Sequence, residues 1–285
     1  MKSKFPLIVL LVACAGCAGP GNISLTDITS TFKDAQEATK EVTEAEEIEL
    51  GQAVASNLLG AMPLYQNQKV QQYVNNVGRW LASQTERPNL PWHFAVVDDN
   101  SLNAFATPGG NIFITSGLLR RMRNEAELAG VLSHEISHVV KKHHLQAIQA
   151  AARSRGGKNL LNRVVAQKVN NGIASAVVQN MIGAYAEVYT KGLDKGEEFE
   201  ADRMGIVIAA RGGYDPYGLP AVLQMLDTFS PQDANASLLF ETHPLPKTRL
   251  SLLDKIMSPA LDRFEKQPNL EPRFKTTMGI PPPKK

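Results

Sequence analysis

Residues 131 to 144 read VLSHEISHVVKKHH and hold four of the six histidines in this 285-residue chain. His134 and His138 flank Glu135 in the order His-Glu-x-x-His. On a helix, residues four apart lie on one face, one above the other. Both imidazoles can then address one ion. Glu135 lies beside them, in reach of a water at an open coordination position. Two ligands and a base form the working part of a zinc hydrolase, and the expected cofactor is one Zn2+ per chain.

A catalytic zinc usually takes three protein ligands and leaves one position open. The only two cysteines, Cys14 and Cys17, lie at the extreme N-terminus. The third ligand must therefore be His, Asp or Glu, and no disulfide framework is available. His144 stands six residues after His138, a spacing that works where a glycine between the histidines lets the helix end. Lys141 occupies that position. If the helix runs on, His144 points about 240° and His143 about 140° round from His138. Both are then expected to be surface histidines on a basic helix end. The other source is the run Glu197-Glu198-Phe199-Glu200-Ala201-Asp202. Glu198 and Asp202 share a face. One can ligate while the other holds a ligating histidine by its far ring nitrogen, or the run can be a solvated helix face.

These groups need elements to position them. Apolar spacing predicts helices over Glu41–Leu59 and Gln68–Ser83. Trp92–Val97, Asn103–Thr107 and Asn111–Thr115 read as strands, the last two joined through Pro108-Gly109-Gly110 as a hairpin. Asn124 with Glu127 predicts a capping box for the helix that carries His134 and His138. Residues 158–190 are helix-prone, but Asn170, Asn171, Gln179, Asn180 and Glu187 interrupt them too often for a membrane span. One or two helices follow Pro216, as far as about Met257. The terminal Pro281-Pro282-Pro283-Lys284-Lys285 places residues 263–285 in a disordered tail.

The formal net charge is +2, which gives no ground for a nucleic-acid partner. The first residues, MKSKFPLIVLLVACAGCAG, place two lysines before a short apolar run and small residues after it. This is the pattern of a secretory signal over residues 1–17, followed by a flexible tether over 18–35 and a folded domain over 36–262. The signal resembles that of bacterial lipoproteins, with Cys14 after Leu11-Val12-Ala13, or Cys17 after Ala15-Gly16, as the lipidated residue. Ala15 or Ala18 after that cysteine fits the outer membrane, so the expectation is a lipid-anchored protein on the periplasmic side of a bacterial envelope.

His134-Glu135-Ile136-Ser137-His138 followed by Glu198-x-x-x-Asp202 resembles the HtpX and Ste24-like zinc peptidases of the gluzincin type. Asn103-Ala104-Phe105-Ala106-Thr107-Pro108-Gly109-Gly110 is similar to their edge-strand hairpin. Gly212-Gly213-Tyr214-Asp215-Pro216 is similar to the turn after their ligand helix. Thr242-His243-Pro244 with Arg249 is similar to their downstream motif. The matches keep the family's order over roughly residues 45 to 255. The resemblance implies an α+β fold, mostly helical and zincin-like, with a small three-stranded sheet. It implies Glu198 as third ligand and Asp202 as its supporting carboxylate. Arg249 would be a further support, and Asn103, Ala104, Phe105 and Ala106 the strand against which a polypeptide lies, with Phe105 itself a core aromatic. It brings His243 to the site, either as a donor to the oxyanion or as a plug on the open metal position. The expected function is a zinc endopeptidase, with Glu135 as base, acting on unfolded or misassembled envelope proteins. The alternative is a chaperone or assembly factor of the same fold whose peptidase activity is latent or secondary.

Overall fold

The computed structural model describes residues 42–156, 173–257, 261–264 and 266–279. The signal and tether lie outside the described residues, as do residues 158–172 of the helix-prone stretch. Helix α1 (Glu44–Ala61) opens on a true capping box between Thr43 and Glu46. Helix α2 (Gln68–Ala82) is capped by the Asn67 side chain and buries Val70, Val74, Val77 and Leu81 along one stripe.

Strands β1 (His93–Val97), β2 (Ala104–Thr107) and β3 (Asn111–Thr115) form one sheet in the order β1-β3-β2. β1 runs parallel to β3, while β2 pairs antiparallel with it, Ala104 opposite Ile114 and Thr107 opposite Asn111. β2 is therefore an edge strand. The Thr115 N–H donates to the Asn103 carbonyl at 3.0 Å. Antiparallel pairs alternate in hydrogen bonding, so Asn103 and Phe105 turn their main-chain groups toward β3. Ala104 and Ala106 turn theirs to the open side.

A short helix α3 (Ser116–Leu119) leads to α4 (Glu125–Val140), which carries the histidine motif. Every residue of α4 from Glu125 to Val139 is buried. Asn124 caps it, its Oδ1 accepting the Glu127 N–H at 3.0 Å. The reciprocal half of the expected box is displaced by one residue, because Glu127 accepts from the Arg123 N–H instead. After α4 come α5 (His143–Gly156), α6 (Ile173–Lys191) and α7 (Lys195–Arg211), then α8 (Gly218–Leu226), α9 (Ser237–Thr242) and α10 (Pro246–Met257).

The main core joins the sheet to α2, α4, α7 and α8 through residues such as Val74, Leu81, Trp92, Ile114, Leu128, Leu132, Ile136, Ile206 and Leu223. A second cluster packs α1 against α5 and α6 through Val54, Leu145, Ile148, Ala184, Tyr185 and Val188. None of the described helices is long and apolar enough to cross a membrane.

One expectation fails here. The domain does not stop near residue 262. Helix α11 (Glu271–Met278) packs back on the core, with Phe274 fully buried and Arg273 paired to the buried Glu125. Leu270, Phe274 and Met278 recur four apart and form the apolar stripe that makes this segment fold. Of the expected tail, residue 265 and residues 280–285 lie outside the described residues.

Candidate metal centre

The full burial of α4 puts His134 and His138 in the middle of the molecule, 3% and 1% exposed. Helix α7 crosses it closely: a Cβ on Gly205 would stand 2.9 Å from the His134 amide nitrogen. That approach brings the start of α7 over the histidines. The start is set by Asp194, which caps α7 in a reciprocal box with Glu197, leaving Glu198 in the first turn and Asp202 one turn on. Both carboxylates are 1% exposed. The solvated-face reading of this run does not hold.

The Nε2 atoms of His134 and His138 lie 3.1 Å apart. Glu198 Oε2 is 3.7 Å from the first and Glu198 Oε1 is 3.5 Å from the second. Zn–N and Zn–O bonds of 2.0–2.2 Å in a tetrahedron separate ligand atoms by about 3.3 Å. The observed spacings fall around that value, and the three residues form one of two donor clusters within 4.8 Å among the described residues. Glu198 Oε2 is buried with no hydrogen-bond partner. A carboxylate that faces two imidazole nitrogens and leaves one of its buried oxygens orphaned fits a divalent cation. Nitrogen and oxygen donors without thiolate suit zinc.

The backs of the ligands are held as well. Asp202 Oδ1 stands 3.0 Å from His134 Nδ1. This fixes Nδ1 as the protonated nitrogen and leaves the Nε2 lone pair for the ion. Arg249 of α10, 4% exposed, grips Asp202 with Nε at 2.8 Å and with Nη2. Its Nη2 also lies 3.3 Å from His134 Nδ1; these are two donors held side by side by one carboxylate. Burial alone would raise the Asp202 pKa, but the charge and hydrogen bonds of Arg249 bring it below the usual carboxylate range. Asp202 thus stays ionised.

His138 is braced by a residue that the sequence argument put on the surface. His138 Nδ1 meets His143 Nδ1 at 3.0 Å, and His143 Nε2 faces Glu200 Oε2 at 3.5 Å. The prediction for His143 and His144 rested on an unbroken helix. The helix breaks. α4 ends at Val140 and Lys142 adopts φ 61, a left-handed conformation that costs a non-glycine residue about 1–2 kcal/mol. The reversal swings both histidines back over α4. His143 is 4% exposed, and the His144 ring lies 5.2 Å from that of His138 with its Nδ1 buried. Nothing in residue type announced this, since the left-handed position is held by lysine rather than glycine.

Glu135 is 3% exposed, and burial pushes its pKa up to about 8 despite the nearby Arg249 charge. Burial also raises Glu198 well above the ordinary range and lowers His134, His138 and His243. A bound dication reverses the pull on the carboxylates. His243, from the turn after α9, reaches the same place: its Nε2 lies 3.6 Å from Glu198 Oε2, and it clusters with His134 and Glu135. Its Nδ1 is held by Thr242 Oγ1 at 2.9 Å. Gly192, at φ 77, lets α6 abut this turn, because a Cβ there would strike the Thr242 carbonyl at 2.0 Å.

The edge strand flanks the centre. Asn103, Ala104 and Phe105 line a cavity with Glu135, His138, His144 and Glu198. Phe105 is a core aromatic as expected, stacked on Phe113 and edge-on to Tyr189. On the open side of β2 the Tyr185 hydroxyl of α6 donates to the Ala106 carbonyl at 3.1 Å. Ala104, with Glu135 and His243, also borders a second, small apolar cavity walled by Leu118, Leu219 and Leu223.

Residues 68–257, which include every ligand candidate and both braces, match peptidase family M48. The chain belongs to this family. Among M48 relatives, it is 32% identical over 244 residues to the beta-barrel assembly-enhancing protease of Yersinia pestis, covering 83% of this chain and 49% of the relative. It is 29% identical over 251 residues to the protein of that name from Escherichia coli strain K12, covering 87% and 51%. It is also 30% identical over 172 residues to the mitochondrial metalloendopeptidase OMA1 of Arabidopsis thaliana, covering 60% and 33%. The chain thus spans about half the length of the bacterial relatives it matches. The M48 match and the donor set on α4 and α7 agree on a metallopeptidase site.

Proposed function

We propose that this chain is a zinc-dependent endopeptidase of the bacterial envelope that hydrolyses unfolded or misassembled polypeptides. The observation that carries the reading is the pair of Nε2 atoms facing the Glu198 carboxylate, one of whose oxygens is unpartnered, with Glu135 alongside. His134, His138 and Glu198 would hold the zinc. Zinc in that position would supply a Lewis acid and bring the pKa of water toward neutrality. Glu135 takes the proton from the attacking water and passes it to the leaving amine. Its apolar surroundings favour that role, since they bring its pKa toward the working pH. Asp202 and Arg249 hold His134 in the ligating tautomer, and His143 does the same for His138.

The polypeptide lies extended along β2, pairing with the outward main-chain groups of Ala104, while the next outward carbonyl, that of Ala106, is taken by the Tyr185 hydroxyl and ends the pairing there. Main-chain pairing favours segments without stable structure, which agrees with relatives named for the assembly of beta-barrels. The envelope location rests on the N-terminal lipoprotein pattern. Mass spectrometry of the mature N-terminus should find a diacylglyceryl cysteine at 14 or 17, and an unmodified N-terminus at Ala18 or later refutes the anchor.

His243 can donate to the oxyanion or occupy the open metal position. As donor, His243→Ala lowers turnover about 10²- to 10³-fold at constant zinc; as plug, the same change raises basal cleavage. The test of the activity itself is direct. Zinc-loaded protein should cut reduced, unfolded casein, lose that activity to a chelator and regain it when zinc is restored. Cleavage indifferent to the chelator would refute the reading.

A further inference from the structure

One histidine of the cleft neither braces a ligand nor belongs to the donor set. His144 follows the left-handed Lys142 and lines the same cavity as Glu135, His138, Asn103 and Tyr189. Its ring centre is 5.2 Å from that of His138 and 6.3 Å from that of Tyr185. Its Nδ1 is buried and has no hydrogen-bond partner. The adjacent His143 directs both its nitrogens at protein groups. His144 belongs to neither donor cluster that could share an ion among the described residues. On the strand side of the same cavity, Asn103 Oδ1 is in the same condition, buried and without a partner.

Leaving a buried donor or acceptor unsatisfied is destabilising, and native interiors rarely tolerate it without a reason. Here two such atoms border one cavity, next to the groups that react. A backbone conformation costly for lysine delivers one of them. Strain of this kind is found at sites where the position of a side chain matters. A neutral imidazole offers one donor and one acceptor, and the Asn103 carbonyl oxygen offers an acceptor. A peptide unit offers the matching N–H and C=O.

We propose that His144 is a substrate-contacting residue that hydrogen-bonds the main chain of the bound polypeptide from the helical wall of the cleft, with Asn103 as the matching contact on the strand wall. The proposal rests on the peptidase reading and deepens it. The cleft then grips its substrate by main-chain groups on two sides, and both grips require a segment with free peptide groups. A folded domain, whose peptide groups are already paired, cannot satisfy either wall. Selectivity for unfolded chains becomes a property of the cleft itself.

The contact is tested on the full zinc-loaded chain. In a Glu135→Gln background, which separates binding from turnover, a fluorescein-labelled peptide from reduced casein is titrated by anisotropy. His144→Phe keeps a ring in the cavity and removes both nitrogens. It should weaken peptide binding about 5- to 150-fold, the range for an unmade buried hydrogen bond, with zinc content unchanged. His144→Gln, which keeps a donor and an acceptor, should recover most of the affinity. In the otherwise unaltered chain, His144→Phe should raise KM more than it lowers kcat. Peptide binding unaltered by His144→Phe overturns the proposal. Loss of zinc in that variant also overturns it, since His144 would then support the metal. If His144→Phe does not fold, His144→Ala with the same readouts decides. A chain that cleaves nothing but binds peptide through His144 defeats the peptidase reading and leaves the contact standing.

Discussion

At the N-terminal end of α4, Glu125 is fully buried and both its oxygens are taken. Tyr73 donates at 2.7 Å, Tyr214 at 2.9 Å, and Arg273 pairs from α11. Toward the C-terminal end of the same helix, Glu198 of α7 is as deeply buried, yet its Oε2 has no partner. Burying a carboxylate is costly unless it is hydrogen-bonded and paired. At Glu125 the protein meets that cost with its own groups. At Glu198 it leaves one oxygen orphaned on a carboxylate that faces two imidazole nitrogens. Burial and charge therefore do not mark a site by themselves. The mark is a polar group whose surroundings are complementary to something other than the protein.

The sharpest way to break this comparison is to remove each carboxylate in turn. Glu198→Ala should abolish stoichiometric zinc binding while the metal-free protein keeps its melting temperature or gains a little, because an unpartnered buried carboxylate has gone. Glu125→Gln should do the opposite. It should keep one zinc per chain and lose about 1–3 kcal/mol of stability through groups left unsatisfied. Zinc analysis and thermal melts on both variants check this, and equal zinc loss in the two would erase the distinction.

The braces should give the next largest effect. Asp202→Ala and His143→Ala each remove the partner of a ligand's far nitrogen, so zinc affinity should fall about 10- to 100-fold, less than for Glu198→Ala. Asp202→Ala should be the more damaging, because it also strands the buried Arg249. Competition with a chelator measures both, and a His143→Ala affinity equal to wild type would remove His143 from the centre.

The smallest effect is on pH. Burial raises Glu135 to about 8 and raises Glu198 as well. Between the unfolded carboxylate pKa of about 4.3 and those values, the folded metal-free protein holds more protons than the unfolded chain. Its stability must then fall as pH rises. The buried histidines, with lowered pKa values, act in the other direction, but only below their unfolded pKa of about 6.5. From pH 6.5 to 8 the carboxylates stand alone. Metal-free protein should therefore lose stability across that window, and zinc-loaded protein should not. Denaturant midpoints at several pH values test this. A metal-free midpoint that rises over the window contradicts the buried state of these acids.

Much of this architecture was legible because it is local. β3 falls on Asn111–Thr115 as its alternation requires, and α2 ends within one residue of its predicted bound. The Asn124 cap and the spacing of His134 and His138 needed no tertiary knowledge. Glu198 could be paired with them only through resemblance, because the close approach at Gly205 that joins α7 to α4 leaves no trace in local pattern. His143 and His144 were misread for a definite reason. Their direction depends on one dihedral at Lys142, a residue type that seldom adopts it. Helix α11 was missed because a three-residue stripe, Leu270, Phe274 and Met278, is too short to outweigh the proline-rich end beside it. The third helix after Pro216 was hidden likewise, since α9 is only six residues long.

The central claim is that Glu135 carries the proton in a zinc-dependent cleavage, and one variant tests it most directly. Glu135→Gln keeps the size and burial of the side chain and removes its capacity as a base. The account predicts that it binds one zinc per chain as the unaltered protein does, still binds unfolded casein, and loses cleavage by at least about 10²-fold. Cleavage at an undiminished rate by zinc-loaded Glu135→Gln would contradict it.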